Sequence, residues 1–166
     1  MVIYGLDPGP EQSAIVVYHA PREGPALVFK HQTLYNLELL AWLQHHAVED
    51  ALLVIEQIEN MGMVVGASVF ETVFWSGRFA SRWEDANGGA RWERLSRRKI
   101  KLALCGSMQA KDPNIRHALL DRWGSSRERA IGTKKVPGPL YGVVGHEWAA
   151  LAVAVAWADL NGYRKE

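Results

Sequence analysis

The order in which strand-like and helix-like segments follow one another constrains this chain most. Three β-rich runs, at residues 2–7, 13–18 and 26–31, come first, separated by "DPGPEQ" and "APREGP". Such spacings suit consecutive antiparallel hairpins. "LYNLELLAWLQHHA" then sets Leu37, Leu40, Ala41 and Leu43 at helical spacing, and "ALLVIE" is a short continuous apolar run ending in an acid, the mark of a buried strand. From Gly66 to Trp83, Phe70, Phe74, Gly77 and Ala80 recur at helical intervals, and "NGG" separates this helix from "ARWERL", a fifth strand. The expectation is an α/β fold with a five-stranded mixed sheet, strands 1–3 antiparallel, flanked by helices.

Further helices follow. Ser96 is a cap and Gly106 a stop for "SRRKIKLALCG", and in "KDPNIRHALLDRWG" Asp112 serves as N-cap, Pro113 as first helical residue and Gly124 as terminator. Residues 124–145, rich in Gly, Pro and basic residues, read as a long surface loop, a length associated with function or mobility. The alanine-rich "HEWAALAVAVAWADL" is a helix built for close packing.

With 166 residues and an apolar fraction of 48%, the expectation is one domain, 1–166, with a proper core. Opposite charges nearly cancel, to +1, so only their distribution can point to a partner. Cys105 is the only cysteine, which excludes an internal disulfide and a cysteine zinc site and suits a reducing compartment. No basic leader precedes an apolar stretch and no run approaches the ~20 apolar residues of a membrane span, so a soluble protein of the cytoplasm, in a bacterial or phage-infected host cell, is expected.

The placement of acids carries the chemistry. Asp7 ends the first strand and Glu56 the fourth, so the two face one another if those strands are neighbours at the same sheet edge. Each acid also has a plainer role: Asp7 as a turn cap, Glu56 as a strand-end acid reaching solvent. As a pair about 4 to 6 Å apart they repel unless a cation lies between them.

The order β-β-β-α-β-α with acids on strands one and four resembles RNase H-like proteins. "IYGLDPG", "LLVIEQIE", "RRKIKLALCGSMQAKDPNIRHAL" and "GHEWAALAVAVAW" resemble, in order and spacing, the segments of RuvC-like Holliday junction resolvases, particularly the compact versions of phage genomes, over almost the entire chain. "GLDPG" alone is weakly specific, since actin-like ATPases and sugar kinases use a similar hairpin. Those folds repeat the domain and need a second such hairpin and an adenosine pocket, for which this chain is too short.

The resemblance implies an RNase H-like fold, a homodimer, and hydrolysis of phosphodiesters at four-way DNA junctions with two Mg²⁺ or Mn²⁺ ions. It makes Asp7 and Glu56 metal ligands. The family's final helix supplies two more ligands three positions apart, which here are His146 and Ala149. Alanine has no donor, so His146 remains, with Glu147 as a possible substitute lying about 100° around the helix. His146 has three open roles: a ligand better suited to Mn²⁺, a base for the attacking water, or a helix cap without chemistry. The missing acid also leaves open a non-cleaving branched-DNA binder on the same fold.

Arg91, Arg94, Arg97, Arg98, Lys99 and Lys101 crowd residues 91–101, with Arg98 and Lys101 on one helical face. Either they are solvated surface or, with Lys111, Arg116, Lys134 and Lys135, they form a phosphate-binding strip. By family position Lys101 belongs near the scissile bond. Met61 and Met63, where relatives carry an aromatic wedge, enter a junction or simply pack in their loop. Phe70, Phe74, Trp75 and Phe79 on the 66–83 helix serve a twofold dimer contact or an internal core.

Overall fold

The structure, a computed structural model, describes residues 1–46, 48, 50–59, 62, 64–86, 91–124 and 126–163. Along the chain run β1 (Val2–Asp7), β2 (Gln12–His19), β3 (Leu27–Tyr35), α1 (Asn36–His46), β4 (Leu52–Gln57), α2 (Ala67–Ala86), β5 (Trp92–Ser96), α3 (Arg97–Cys105), α4 (Asp112–Arg122), α5 (Arg127–Ala130) and α6 (Glu147–Leu160). The sheet order is β3-β2-β1-β4-β5, with β1–β2 and β2–β3 antiparallel and β1–β4 and β4–β5 parallel. The expected five-stranded mixed sheet is therefore the observed one.

Strand alternation distributes the core between the two faces. Ile3, Leu52 and Val54 pack with α3, α4 and α6 on one face, whereas Tyr4, Leu6, Leu53 and Ile55 pack with α1 and α2 on the other. α6 is buried along nearly its whole length, and its small residues let it lie directly on β1. Gly5 is what permits this: a Cβ there would stand 2.2 Å from the Ala150 carbonyl oxygen and 2.8 Å from the Ala154 Cβ.

Several boundaries depart from expectation. β3 runs on to Tyr35 because β2 pairs with it as far as Gln12↔Tyr35. In α1 the buried residues are Asn36, Leu39, Leu40 and Leu43, while Leu37 and Ala41 are exposed. In α2 the inward stripe is Thr72, Phe79, Ala80 and Trp83, so Phe70 and Phe74 face solvent. Residues 124–145 are not simply a surface loop: they contain α5, and Ala130, Leu140 and Val143 anchor them in the core. Ser96 and Gly106 cap α3 as expected, Ser96 by accepting the Lys99 N–H and Gly106 with φ 67°. Among the described residues no helix is long and apolar enough to cross a membrane.

Candidate active site

The parallel register of β1 and β4 ends at Leu6↔Ile55, so Asp7 and Glu56 are the next residue of each strand. By the same alternation that sends Gly5 and Val54 toward α6, both acids lie on the α6 face. The turn after β1 is closed without Asp7. Ser13 Oγ accepts the Gly9 N–H at 3.1 Å and donates to Asn36 Oδ1 at 2.7 Å, and Asn36 Nδ2 donates to the Gly9 carbonyl at 3.0 Å. Asp7 is thus left to accept from His146 Nδ1, 3.0 Å from its Oδ2. The carboxylate is largely covered, while the His146 ring is 82% exposed.

His146 immediately precedes α6, at its N-cap position, yet its side chain makes no capping bond. Because Nδ1 must carry hydrogen to donate to Asp7, the lone pair of the neutral ring resides on Nε2. Glu147 points elsewhere. Its Oε2 lies 2.7 Å from His31 Nδ1 and accepts the Val144 N–H at 3.1 Å, fixing the entry to α6 against β3. It does not line the cleft that holds Asp7, because one residue of helical rotation turns it toward the edge strand.

That cleft, about 390 Å³, is large enough for a phosphate group with several waters at about 30 Å³ each. Asp7, Glu56, His146 and Ala149 line it, and so do Arg97, Asp112, Arg116 and Trp148. Arg97 Nη1 donates to both Glu56 oxygens, at 3.1 and 3.4 Å, and Nη2 donates to Asp112. Arg97, expected on the DNA strip, therefore bridges two carboxylates inside the cleft. Asp112, expected as a helix cap, is the first residue of α4; Lys111 is the N-cap, and Asn114 Oδ1 accepts the Lys111 N–H at 2.9 Å. With Asn114 at the helix start, the Asp112 carboxylate is free for Arg97. The sequence signal for this role was its place just after Lys111 in a segment expected near the same edge, and the Asp-Pro cap pattern hid it.

Arg116 stacks over Trp148, its guanidinium carbon 4.7 Å from the ring centroid, at the cleft wall. Arg98, Lys111, Lys134 and Lys135 are exposed and Lys101 is half-buried. Met61 and Met63 lie outside the described residues.

Burial pushes the Glu56 carboxyl up to about 7, with Arg97 opposing and Asp7 and Asp112 adding to the rise. Burial likewise raises Asp7, against the hydrogen bond and charge of His146. The cleft thus holds two covered carboxyl groups whose charged forms are costly without a cation beside them. Oxygen donors in that state suit Mg²⁺ or Mn²⁺. Among the described residues no three acidic, histidine or cysteine side chains converge as a ready-made ion cage, and the guanidinium between Glu56 and Asp112 stands in for a cation.

A pH dependence follows. The folded protein holds a proton on Glu56 that the unfolded chain, with an ordinary value of 4.5, releases. The associated stability is fully present below pH 4.5 and is lost as pH rises through about 7, a change on the order of 3 kcal/mol. Urea unfolding with a chelator at pH 5 and pH 8 should show Glu56→Gln losing less stability than the parent over that interval. Equal losses would contradict the burial assigned to this carboxyl.

Among solved structures, Thermus thermophilus RuvC matches with a TM-score of 0.69 at 18% identity, covering 97% of this chain and 95% of that one. The chain has the fold of RuvC. T. thermophilus RuvC in complex with Holliday junction substrate matches with a TM-score of 0.62 at 17% identity, over the same shares. By sequence, no family model and no curated protein matches. On the RuvC-like fold, Asp7 and Glu56 occupy the ends of adjacent strands on the α6 face, and His146 opens the final helix beside them.

Proposed function

We propose that this chain is a divalent-metal-dependent endonuclease that resolves four-way or other branched DNA, a compact, phage-type RuvC-like protein acting as a homodimer in the cytoplasm. The observation that carries the reading is the pair of strand-end carboxylates at Asp7 and Glu56, with His146 bonded to Asp7, in an open cleft on the RuvC fold.

Asp7 and Glu56 would hold Mg²⁺ or Mn²⁺. The bound metal supplies Lewis-acid stabilisation of the attacked phosphate and its leaving oxygen. Asp7 fixes the His146 ring through Nδ1, which leaves Nε2 to take a proton from the attacking water. Arg116, held flat on Trp148, meets a phosphate entering the cleft. Arg98, Lys101, Lys111, Lys134 and Lys135 carry the flanking backbone, with Lys101 nearest the scissile region, and Met61 and Met63 enter the junction centre. The solvent-facing Phe70, Val73 and Phe74 of α2 supply the dimer contact.

Binding without metal tests the DNA side of this reading. The protein should prefer an immobile four-way junction to a duplex of the same sequence. Arg98→Glu with Lys101→Glu should weaken both and reduce the slope of log affinity against log salt by about 2, since each lost phosphate contact removes close to one released counterion. An unchanged slope would make the strip solvated surface. A second reading, a branched-DNA binder that does not cleave, is favoured by one observation: Ala149 lines the cleft without a donor.

A further inference from the structure

The last helix lacks a carboxylate at Ala149, but the cleft wall it faces does not. Asp112 reaches the same cleft from the start of α4. Its position is well supported: Ile115 and Leu119 bury the inner face of α4, and Asn114 occupies the helix start. The Arg97 guanidinium spans Glu56 and Asp112, one nitrogen on each. Arg97 is itself fixed by register, because it follows Ser96, the β5 partner of Gln57, and so begins α3 beside Glu56.

We propose that Asp112 supplies from α4 the third carboxylate that Ala149 does not, and that Arg97 is a resident cation holding Glu56 and Asp112 until a divalent ion displaces it. This rests on the reading of the cleft as a metal site. Removing the arginine then strengthens metal binding, whereas removing Asp112 weakens it.

The test is Mn²⁺ binding without DNA, followed by the electron paramagnetic resonance of free Mn²⁺ and by calorimetry. The proteins are the parent, Asp112→Asn, Arg97→Gln, Asp7→Asn and, as a control for lost charge on the same helix, Asp121→Asn. Circular dichroism establishes that each is folded. Asp112→Asn should weaken Mn²⁺ about 10-fold or more, Arg97→Gln should tighten it several-fold, and Asp121→Asn should match the parent. Asp112→Asn combined with Ala149→Asp should regain affinity, the carboxylate being returned from the last helix. If Asp112→Asn binds as the parent does while Asp7→Asn does not, Asp112 is no ligand and the metal site stands without it. Weaker binding in Arg97→Gln would overturn the exchange. If the parent does not bind Mn²⁺, or Asp7→Asn binds it equally well, the metal site itself is wrong and the proposal falls with it.

Discussion

Asp7→Asn is expected to reduce cleavage of a four-way junction by about 10³-fold or more while leaving junction affinity equal to the parent's or higher. The size follows from what the residue does. In its proposed role, a carboxylate that would hold metal and that orients the His146 imidazole contributes several kcal/mol, and each 1.36 kcal/mol is tenfold in rate. Asparagine keeps the volume and removes the charge, so the fold around β1 is preserved. The direction of the affinity change comes from charge: Asp7, Glu56 and Asp112 line one cleft, and one fewer carboxylate means less repulsion of an incoming phosphate. End-labelled junctions give the rate and gel mobility gives the affinity. Undiminished cleavage would remove Asp7 from the chemistry.

Gly5→Ala should lower the melting temperature by about 10 °C, corresponding to roughly 3 kcal/mol in a chain of this size. The added methyl meets backbone on the far side, the Ala150 carbonyl at 2.2 Å, and the Ala154 Cβ at 2.8 Å. No side-chain rotation relieves that contact, so α6 must move off β1. The displacement also carries to the site. Asp7 lies two residues further along β1 on the same face, and His146 opens α6, so the 3.0 Å bond between them is strained by the same shift. Thermal unfolding by circular dichroism measures the effect. A melting temperature within a degree or two of the parent's would mean that α6 does not press on β1 as described.

These two expectations mark what was legible before the fold was known. The strand-end acids were visible because β1 and β4 are short apolar runs that stop at a carboxylate, and side-chain alternation then fixes which face they share. His146 followed from the resemblance, which places a ligand at the start of the final helix. Asp112 differs from expectation because Asp-Pro is a helix-start pattern, and the sequence does not say that Lys111 is the N-cap instead, its N–H accepted by Asn114. Arg97 looked like a phosphate contact because a run of cations shows its charge and not its partners; Glu56 lies 41 residues away in the chain. Glu147 was drawn toward the site by adjacency to His146. Its partner, His31, is 116 residues away on an edge strand whose length was underestimated. In α2 the spacing of Phe70 and Phe74 was correctly helical, but periodicity alone does not say which stripe faces inward when two are apolar. Thr72, Phe79, Ala80 and Trp83 took the core.

The activity proposed for this cleft is cutting of branched DNA with a divalent ion. Its most direct measurement incubates the purified parent protein with an end-labelled four-way junction, and in parallel with the matching linear duplex, in Mg²⁺, in Mn²⁺ and in chelator. Nicks are expected near the branch point of the junction in at least one metal, with little cutting of the duplex and none in chelator. An intact junction in both metals, or equal cutting of junction and duplex, would contradict it.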